Sequence, residues 1–197
     1  MYTVYESSPY FHFITDDFFE KDDLKWIIDS SYKIVTPNSR KICIKKNDRQ
    51  VFDLKYLDID FERVVAPFKS LAHAVCEQRY PDLIEKFKGP RYIPAAQMQF
   101  NPRGWDYNTI HTDIPSKIFT FTVYLSEYGK GTQLFSGPNK EDLVDTVEWK
   151  VNRGMGFVRT EDSWHNFGAS EEHDRLTITY FYREAEEYKD VKESAYI

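Results

Sequence analysis

The chain has 197 residues, of which 41% are hydrophobic and 29% charged, a composition that is typical of a folded protein and excludes an intrinsically disordered one. Its net charge of -6 disfavours a broad contact with duplex nucleic acid. Two widely separated cysteines exclude a disulfide framework or a cysteine zinc site, and the lack of a signal-like N-terminus or a long apolar run predicts a cytoplasmic protein without a membrane span.

The first half of the sequence is predicted to be largely helical. Apolar residues follow acidic ones at near-helical spacing in the first predicted helix, and Pro67 is expected to shift the start of the second. Between 36 and 53, proline, asparagine, serine and many charges predict a variable loop region that contains a strand at KICIKK. The predicted elements here are a strand at 10–14 and helices at 20–32, 61–80 and 81–88.

From residue 91 the sequence changes to short alternating or aromatic-rich runs separated by glycine, proline and asparagine. This texture predicts antiparallel strands, which a double-sheet jelly roll would close around a cavity. We therefore predict one domain over 1–197, mainly β, in which a helical part at about 15–90 buttresses a β part at about 91–184. The predicted strands are YIPAAQMQF, KIFTFTVYLSEY, DTVEWKV, GMGFVRT and RLTITYFYR.

A candidate metal site begins at the tripeptide HTD. On an extended backbone His111 and Asp113 project to the same side, and His165 follows in SWHNF as a further imidazole. Two histidines and one carboxylate leave coordination positions open, an arrangement typical of Fe(II) enzymes that bind a co-substrate and O2. The alternative is a hydrogen-bonded loop pair beside an ordinary core histidine.

A candidate anion site lies ten residues after His165. Arg175 opens the strand RLTITYFYR, and Thr177 falls on the same face two residues later. A guanidinium fork matches a carboxylate, so the pair is suited to the distal carboxylate of a dicarboxylate ligand. The alternative is an exposed arginine that pairs with Asp174 or Glu172.

The strand at 118–125 has two unlike faces. Its odd-numbered positions, which begin with Phe119 and Phe121, are apolar and predict core packing. The opposite face carries Thr120, Thr122 and Tyr124, and predicts a cavity lining in which the tyrosine adds a phenolic donor to the carboxylate held by the arginine. The alternative for this tyrosine is a solvent-facing position on an edge strand.

Taken together, HTD, SWH and RLT resemble the motif of the 2-oxoglutarate/Fe(II)-dependent oxygenases. The resemblance covers about residues 92–183, and FITDDFFEKDDLKWII looks like the opening of the prolyl-hydroxylase-like branch. It implies a distorted double-stranded β-helix that binds Fe(II) through His111, Asp113 and His165. It further implies 2-oxoglutarate and O2 as co-substrates, succinate and CO2 as products, and ascorbate as a candidate reductant.

The sequence departs from this branch at two positions. Thr132 replaces a glycine that the branch often has in GKGTQL, and Phe100 stands where many relatives have a tyrosine near the co-substrate. Asp113 is retained, whereas halogenating relatives replace this carboxylate with a small residue. The resemblance therefore implies hydroxylation of a peptidyl, proline-like residue or of a small metabolite.

Substrate recognition is assigned to the loop NPRGWDYN, where Arg103, Trp105 and Tyr107 could form an aromatic and basic lip. Packing that anchors this loop is the competing explanation. Two other functions stay open, namely a cupin-like, non-catalytic metal-binding module and an oxygenase that demethylates nucleic-acid bases. The second would need a basic groove, which the acidic composition disfavours.

Overall fold

The computed structural model describes residues 2–34, 44–46, 49–104, 109–167 and 172–185, with only the backbone at 44–46 and 49. No helix in these ranges is long and apolar enough to cross a membrane. The first three positions of the predicted KICIKK strand lie outside the described residues, and its last three positions form a strand.

Three α-helices lie in the described part of the chain, at the places that the sequence predicts. Helix α2 begins at Phe61 because Asp60 caps it, its side chain accepting the N–H of Arg63 at 3.0 Å. The prediction that Pro67 shifts this start is wrong, since the proline lies inside the helix. The helices are α1 (Lys21–Ile34), α2 (Phe61–Arg79) and α3 (Pro81–Lys88).

Eight of the described strands form one antiparallel sheet, in the order β1-β2-β9-β6-β11-β5-β4-β3. The longest, β5 and β11, pair along ten residues at the centre of the fold. Their register sets Arg175 opposite Asn101. The strands are β1 (Tyr2–Glu6), β2 (His12–Asp16), β3 (Ile44–Lys46), β4 (Arg49–Asp53), β5 (Tyr92–Asn101), β6 (Lys117–Tyr124), β9 (Gly154–Val158) and β11 (Arg175–Glu184).

A smaller sheet of three strands has the order β10-β7-β8. Its strands are β7 (Thr132–Phe135), β8 (Leu143–Thr146) and β10 (His165–Phe167). The prediction of a strand over DTVEWKV is therefore wrong beyond its first two residues, because β8 ends at Thr146. After this strand, Trp149 donates its indole N–H to the carbonyl of Ser126 at 3.0 Å.

The helices pack on one face of the large sheet, where the core is rich in aromatic rings. Phe68 of α2 stacks on Tyr180 of β11 at 5.0 Å and lies 5.9 Å from Phe119 of β6. Gly154 of β9 makes room for this layer, since a Cβ there would come within 2.1 Å of the Phe121 ring. Phe119, Phe121 and Val123 of β6 thus form the core face that the sequence predicts.

The other face of the large sheet turns towards the small sheet and is far more polar. Strand alternation places Thr120 and Thr122 of β6 and Thr179 of β11 on this face. They line a cavity of about 280 Å³. The predicted architecture, mainly β with helices buttressing one side and a cavity on the other, is confirmed.

Candidate functional site

The two histidines of the candidate metal site are held together by their own backbones. His111 donates its N–H to the carbonyl of His165 at 3.1 Å and accepts the N–H of His165 at 2.9 Å, which forms an isolated antiparallel bridge. Their ring centroids are 4.5 Å apart. Because His165 opens β10, the small sheet fixes this pairing.

Each imidazole is also oriented by a hydrogen bond to a backbone carbonyl. Nδ1 of His111 lies 3.0 Å from the carbonyl oxygen of Thr109, and Nδ1 of His165 lies 2.9 Å from that of Ser163. A carbonyl can only accept, so each Nδ1 donates its hydrogen to the carbonyl and Nε2 is the ring nitrogen left to bind a metal. Burial lowers the pKa of His165 to about 4, so this imidazole is neutral at pH 7 and able to bind a metal.

Asp113 is buried, and both of its carboxylate oxygens accept hydrogen bonds. Lys117 donates to Oδ1 at 2.9 Å and the Thr120 hydroxyl donates to Oδ2 at 2.6 Å. Burial acts to raise the pKa of Asp113, but the Lys117 charge and these hydrogen bonds outweigh it and hold the pKa below its usual range. The side chain is thus a fixed, ionised carboxylate.

The three side chains converge on one point of the cavity. One ligand atom from each of His111, Asp113 and His165 lies within 4.8 Å of the other two, and all three residues line the cavity. Two imidazoles and one carboxylate fit a divalent transition metal, and this donor set is typical of non-haem Fe(II) sites with open positions. The loop-pair alternative does not account for this convergence.

Arg175 lies in the same cavity and is 3% exposed. Its guanidinium lies over the ring of Phe167 at 4.5 Å and over that of Trp149 at 5.6 Å. The alternative of an exposed arginine is therefore wrong. Asp174, which that alternative named as a partner of Arg175, accepts the backbone N–H of Arg103 at 2.8 Å. Thr177, on the same face, is fully buried, and its hydroxyl has no hydrogen-bond partner among the described residues.

Tyr124 is fully buried, so the solvent-facing alternative is wrong. Its ring stacks on Trp149 at 4.3 Å, and its hydroxyl donates to Oγ1 of Thr132 at 3.0 Å while accepting the Thr132 N–H at 2.9 Å. Thr132, the residue that departs from the glycine pattern, therefore holds the phenol on the small-sheet side of the cavity. A contact between this phenol and a ligand carboxylate stays a prediction.

Phe100 does not face the cavity. It pairs with Leu176 and packs against the helical core, because even-numbered residues of β5 point to the helices. Asn101 lies on the opposite face of β5, together with Gln97 and Gln99, which line the cavity. Its side chain is buried, and neither of its side-chain polar atoms has a hydrogen-bond partner among the described residues. The alternating polar residues Gln97, Gln99 and Asn101 were the sequence signal for this cavity face.

The predicted substrate lip is placed only in part. Arg103 is exposed, whereas Trp105 and Tyr107 lie outside the described residues. The cavity residues that were not anticipated from the sequence include Lys117 and Phe181. The ammonium of Lys117 lies 4.0 Å from the centroid of the Phe181 ring.

No protein-family model matches this sequence, and no curated protein matches it. Solved structures do match, at low sequence identity. A Pseudomonas putida prolyl-4-hydroxylase is 12% identical with a TM-score of 0.66, covering 88% of this chain and 92% of its own. The viral collagen prolyl hydroxylase of Paramecium Bursaria Chlorella virus-1, in its 2OG complex, is 12% identical with a TM-score of 0.60, covering 91% and 98%.

A third similar structure is a prolyl hydroxylase from Trichoplax adhaerens in complex with a peptide fragment of the hypoxia inducible factor oxygen degradation domain. It is 13% identical with a TM-score of 0.60, and the match covers 90% of this chain and 86% of the other. The chain therefore has the fold of the prolyl hydroxylases, and the predicted double-stranded β-helix is confirmed.

Proposed function

We propose that this chain, which has the prolyl-hydroxylase fold, is an Fe(II)- and 2-oxoglutarate-dependent dioxygenase that hydroxylates a C–H bond. The observation that carries the proposal is the presence, in one cavity, of a His-Asp-His metal site and a buried Arg175. A cupin-like, non-catalytic metal-binding module does not require a second, anion-binding residue, so it does not account for the buried arginine in the same cavity. The fold alone is compatible with several activities, so the proposed activity is inferred from the residues of the site.

Each group of the site has a defined task in this proposal. His111, Asp113 and His165 hold the iron, and Arg175 with Thr177 holds the distal carboxylate of 2-oxoglutarate. When bound, iron and 2-oxoglutarate supply the oxidising chemistry, in which O2 is consumed, succinate and CO2 are released, and one oxygen atom enters the substrate.

The protein supplies orientation and a dry environment. The backbone bridge between the histidines and the carbonyls behind each Nδ1 fix the imidazole planes before any ligand arrives. The rings of Phe157 and Phe167 shield the site, the first at 4.8 Å from the ring of His165. Such pre-organisation lowers the ordering cost of binding and excludes water from the reacting groups.

Co-substrate binding extends, in this proposal, to two residues beside the arginine. The buried amide of Asn101 lies opposite Arg175 across the β5–β11 ladder and is suited to a hydrogen bond with bound 2-oxoglutarate. Tyr124, whose phenol is held by the cavity residue Thr132, is proposed to donate a hydrogen bond to the same carboxylate as Arg175. Ascorbate is proposed as an accessory reductant. We also propose that the protein is cytoplasmic.

For the substrate, both a peptidyl, proline-like residue and a small metabolite fit the proposal. The similar Trichoplax structure contains a peptide, which supports a peptidyl substrate. The arginine, tryptophan and tyrosine of the loop at 103–107 would then contact the substrate at the mouth.

The test is release of succinate from 2-oxoglutarate in the presence of Fe(II) and a substrate library, followed by mass spectrometry for a gain of one oxygen atom. Asp113→Asn should abolish turnover because it removes the charged ligand, while a surface variant such as Lys140→Gln should retain it. Absence of both turnover and 2-oxoglutarate binding in the wild-type protein would refute the proposal.

A further inference from the structure

The cavity is lined by two cationic side chains, Arg175 and Lys117, that lie at different places along the large sheet. Arg175 and Phe181 face it from the same side of β11, six residues apart, which corresponds to roughly 20 Å of strand. Lys117 joins the far end, where its ammonium lies over the Phe181 ring. The Arg175 end and the Lys117 end are thus distinct.

A single 2-oxoglutarate held by Arg175 and the metal does not extend to Phe181. Its five-carbon chain is about 6 Å long from standard bond lengths, much shorter than the roughly 20 Å of strand between Arg175 and Phe181, so the part of the cavity beside Phe181 and the Lys117 ammonium stays open. The wall between the ends carries Thr179, Gln97 and Gln99, whose amides and hydroxyl can donate or accept hydrogen bonds. The cavity therefore has a second compartment suited to a polar ligand.

The charge balance indicates which kind of ligand fits this compartment. Among the described residues that line the cavity, the charged ones are Asp113, Lys117 and Arg175. A divalent metal and the two carboxylates of 2-oxoglutarate cancel each other's charge, so Asp113, which lies 2.9 Å from Lys117, is left with one negative charge against the two positive charges of Lys117 and Arg175. The Lys117 side chain is only 20% exposed, and a largely buried cation favours an anionic partner.

We propose that Lys117 and Phe181 form a second anion subsite, which binds a free carboxylate of the primary substrate. The inference rests on the proposed function and narrows its substrate class. It favours a small carboxylic acid, such as an amino acid or a C-terminal residue, over an internal peptidyl residue, whose backbone carbonyl is neutral.

The position of Lys117 also restricts where oxidation occurs. Its ammonium contacts Asp113, a proposed metal ligand, so a carboxylate held there lies beside the metal site. The carbon that reacts is then only a few bonds from the carboxylate. The ring of Phe181 gives the carbon frame of the substrate an apolar surface to pack on.

The test uses the protein loaded with Ni(II), which replaces iron so that no turnover occurs, and saturated with 2-oxoglutarate. The probes are the common free L-amino acids and their matched carboxamides, and binding is measured by thermal shift and calorimetry. At least one acid should bind about tenfold more tightly than its amide, the expected effect of one charge-assisted contact.

Lys117→Gln should remove this acid preference, and Lys117→Arg should retain most of it because the positive charge is kept. Lys130→Gln is the matched control, since Lys130 is an exposed lysine. Equal binding of every acid and its amide, binding of no acid at all, or an unchanged preference in Lys117→Gln would each overturn the subsite.

A 2-oxoglutarate titration separates failure of the subsite from failure of the proposed function. Lys117→Gln should bind 2-oxoglutarate within about threefold of the wild type, whereas Arg175→Gln should bind it at least about a hundredfold more weakly. Loss of 2-oxoglutarate binding in Lys117→Gln would place Lys117 at the co-substrate end and overturn the inference alone. A wild-type protein that binds neither Ni(II) nor 2-oxoglutarate would overturn both proposals.

Discussion

Replacing Arg175 with glutamine tests the co-substrate end of the cavity. The guanidinium is 3% exposed and lies over the Phe167 and Trp149 rings, so its position is fixed before binding. A forked contact to a carboxylate makes two charge-assisted hydrogen bonds, each worth about 1.5 to 3 kcal/mol. Taking the lower half of that range, the variant should lose about 3–4 kcal/mol of binding free energy, which raises the Kd for 2-oxoglutarate roughly 100- to 1,000-fold.

The assay is anaerobic calorimetry of 2-oxoglutarate binding to the Fe(II)-loaded protein. Arg175→Lys is the informative partner variant, since it keeps the charge but loses the planar fork, and should fall between wild type and Arg175→Gln. Affinity for Fe(II) alone should stay within about threefold of the wild type in both variants, because the arginine is not a metal ligand. Wild-type 2-oxoglutarate affinity in Arg175→Gln would refute the assignment.

Two further predictions concern stability, measured by denaturant unfolding. Arg153 hydrogen-bonds Asp16 and lowers its pKa from 3.8 to about 2, so Asp16→Asn should cost about 1 kcal/mol after allowance for solvent screening. This loss of unfolding free energy should be complete above pH 4 and should shrink as the pH falls towards 2, where Asp16 becomes protonated in the folded wild type. A loss that stays constant from pH 6 to pH 3 would contradict the ion pair. Gly154→Ala should cost about 1 to 3 kcal/mol because its Cβ collides with Phe121, whereas Gly89→Ala, with ordinary contacts at 3.7 Å, should be within about 1 kcal/mol of wild type.

The sequence predicted those site residues that depend on local geometry or on a strand face. His111 and Asp113 are two residues apart, and so are Arg175 and Thr177, so strand alternation alone brings each pair to one side. The same alternation predicted which face of β6 packs in the core and which lines the cavity. The long helices were predictable too, because α2 carries a continuous apolar stripe and an aspartate cap.

The features that the sequence did not predict depend on long-range contacts. Thr132 lies in β7, and only the closure of the small sheet against β6 makes it the partner of Tyr124. Strand β10 has three residues, too few for a periodic signal. Lys117 reaches back to Asp113 across a turn, a contact that residue spacing does not reveal.

The departure at Phe100 depends on strand phase. Many relatives have a tyrosine near the co-substrate at this place in the sequence, but a shift of one residue along a strand moves a side chain to the opposite face. The β5–β11 register places Asn101 on the cavity face and Phe100 on the helix face. In the sequence, the polar residues at alternate positions, Gln97 and Gln99, indicated which face of β5 lines the cavity.

The most direct test of the central claim is the dependence of 2-oxoglutarate binding on the metal. Calorimetry under nitrogen should detect 2-oxoglutarate binding when Fe(II) is present, much weaker binding without it, and loss of the Fe(II)-dependent part in His165→Ala. A fold control is His73→Ala, which changes an exposed histidine of α2. Equal 2-oxoglutarate affinity with and without Fe(II), or an unaffected His165→Ala protein, would contradict a site in which His111, Asp113 and His165 hold the iron that binds the co-substrate.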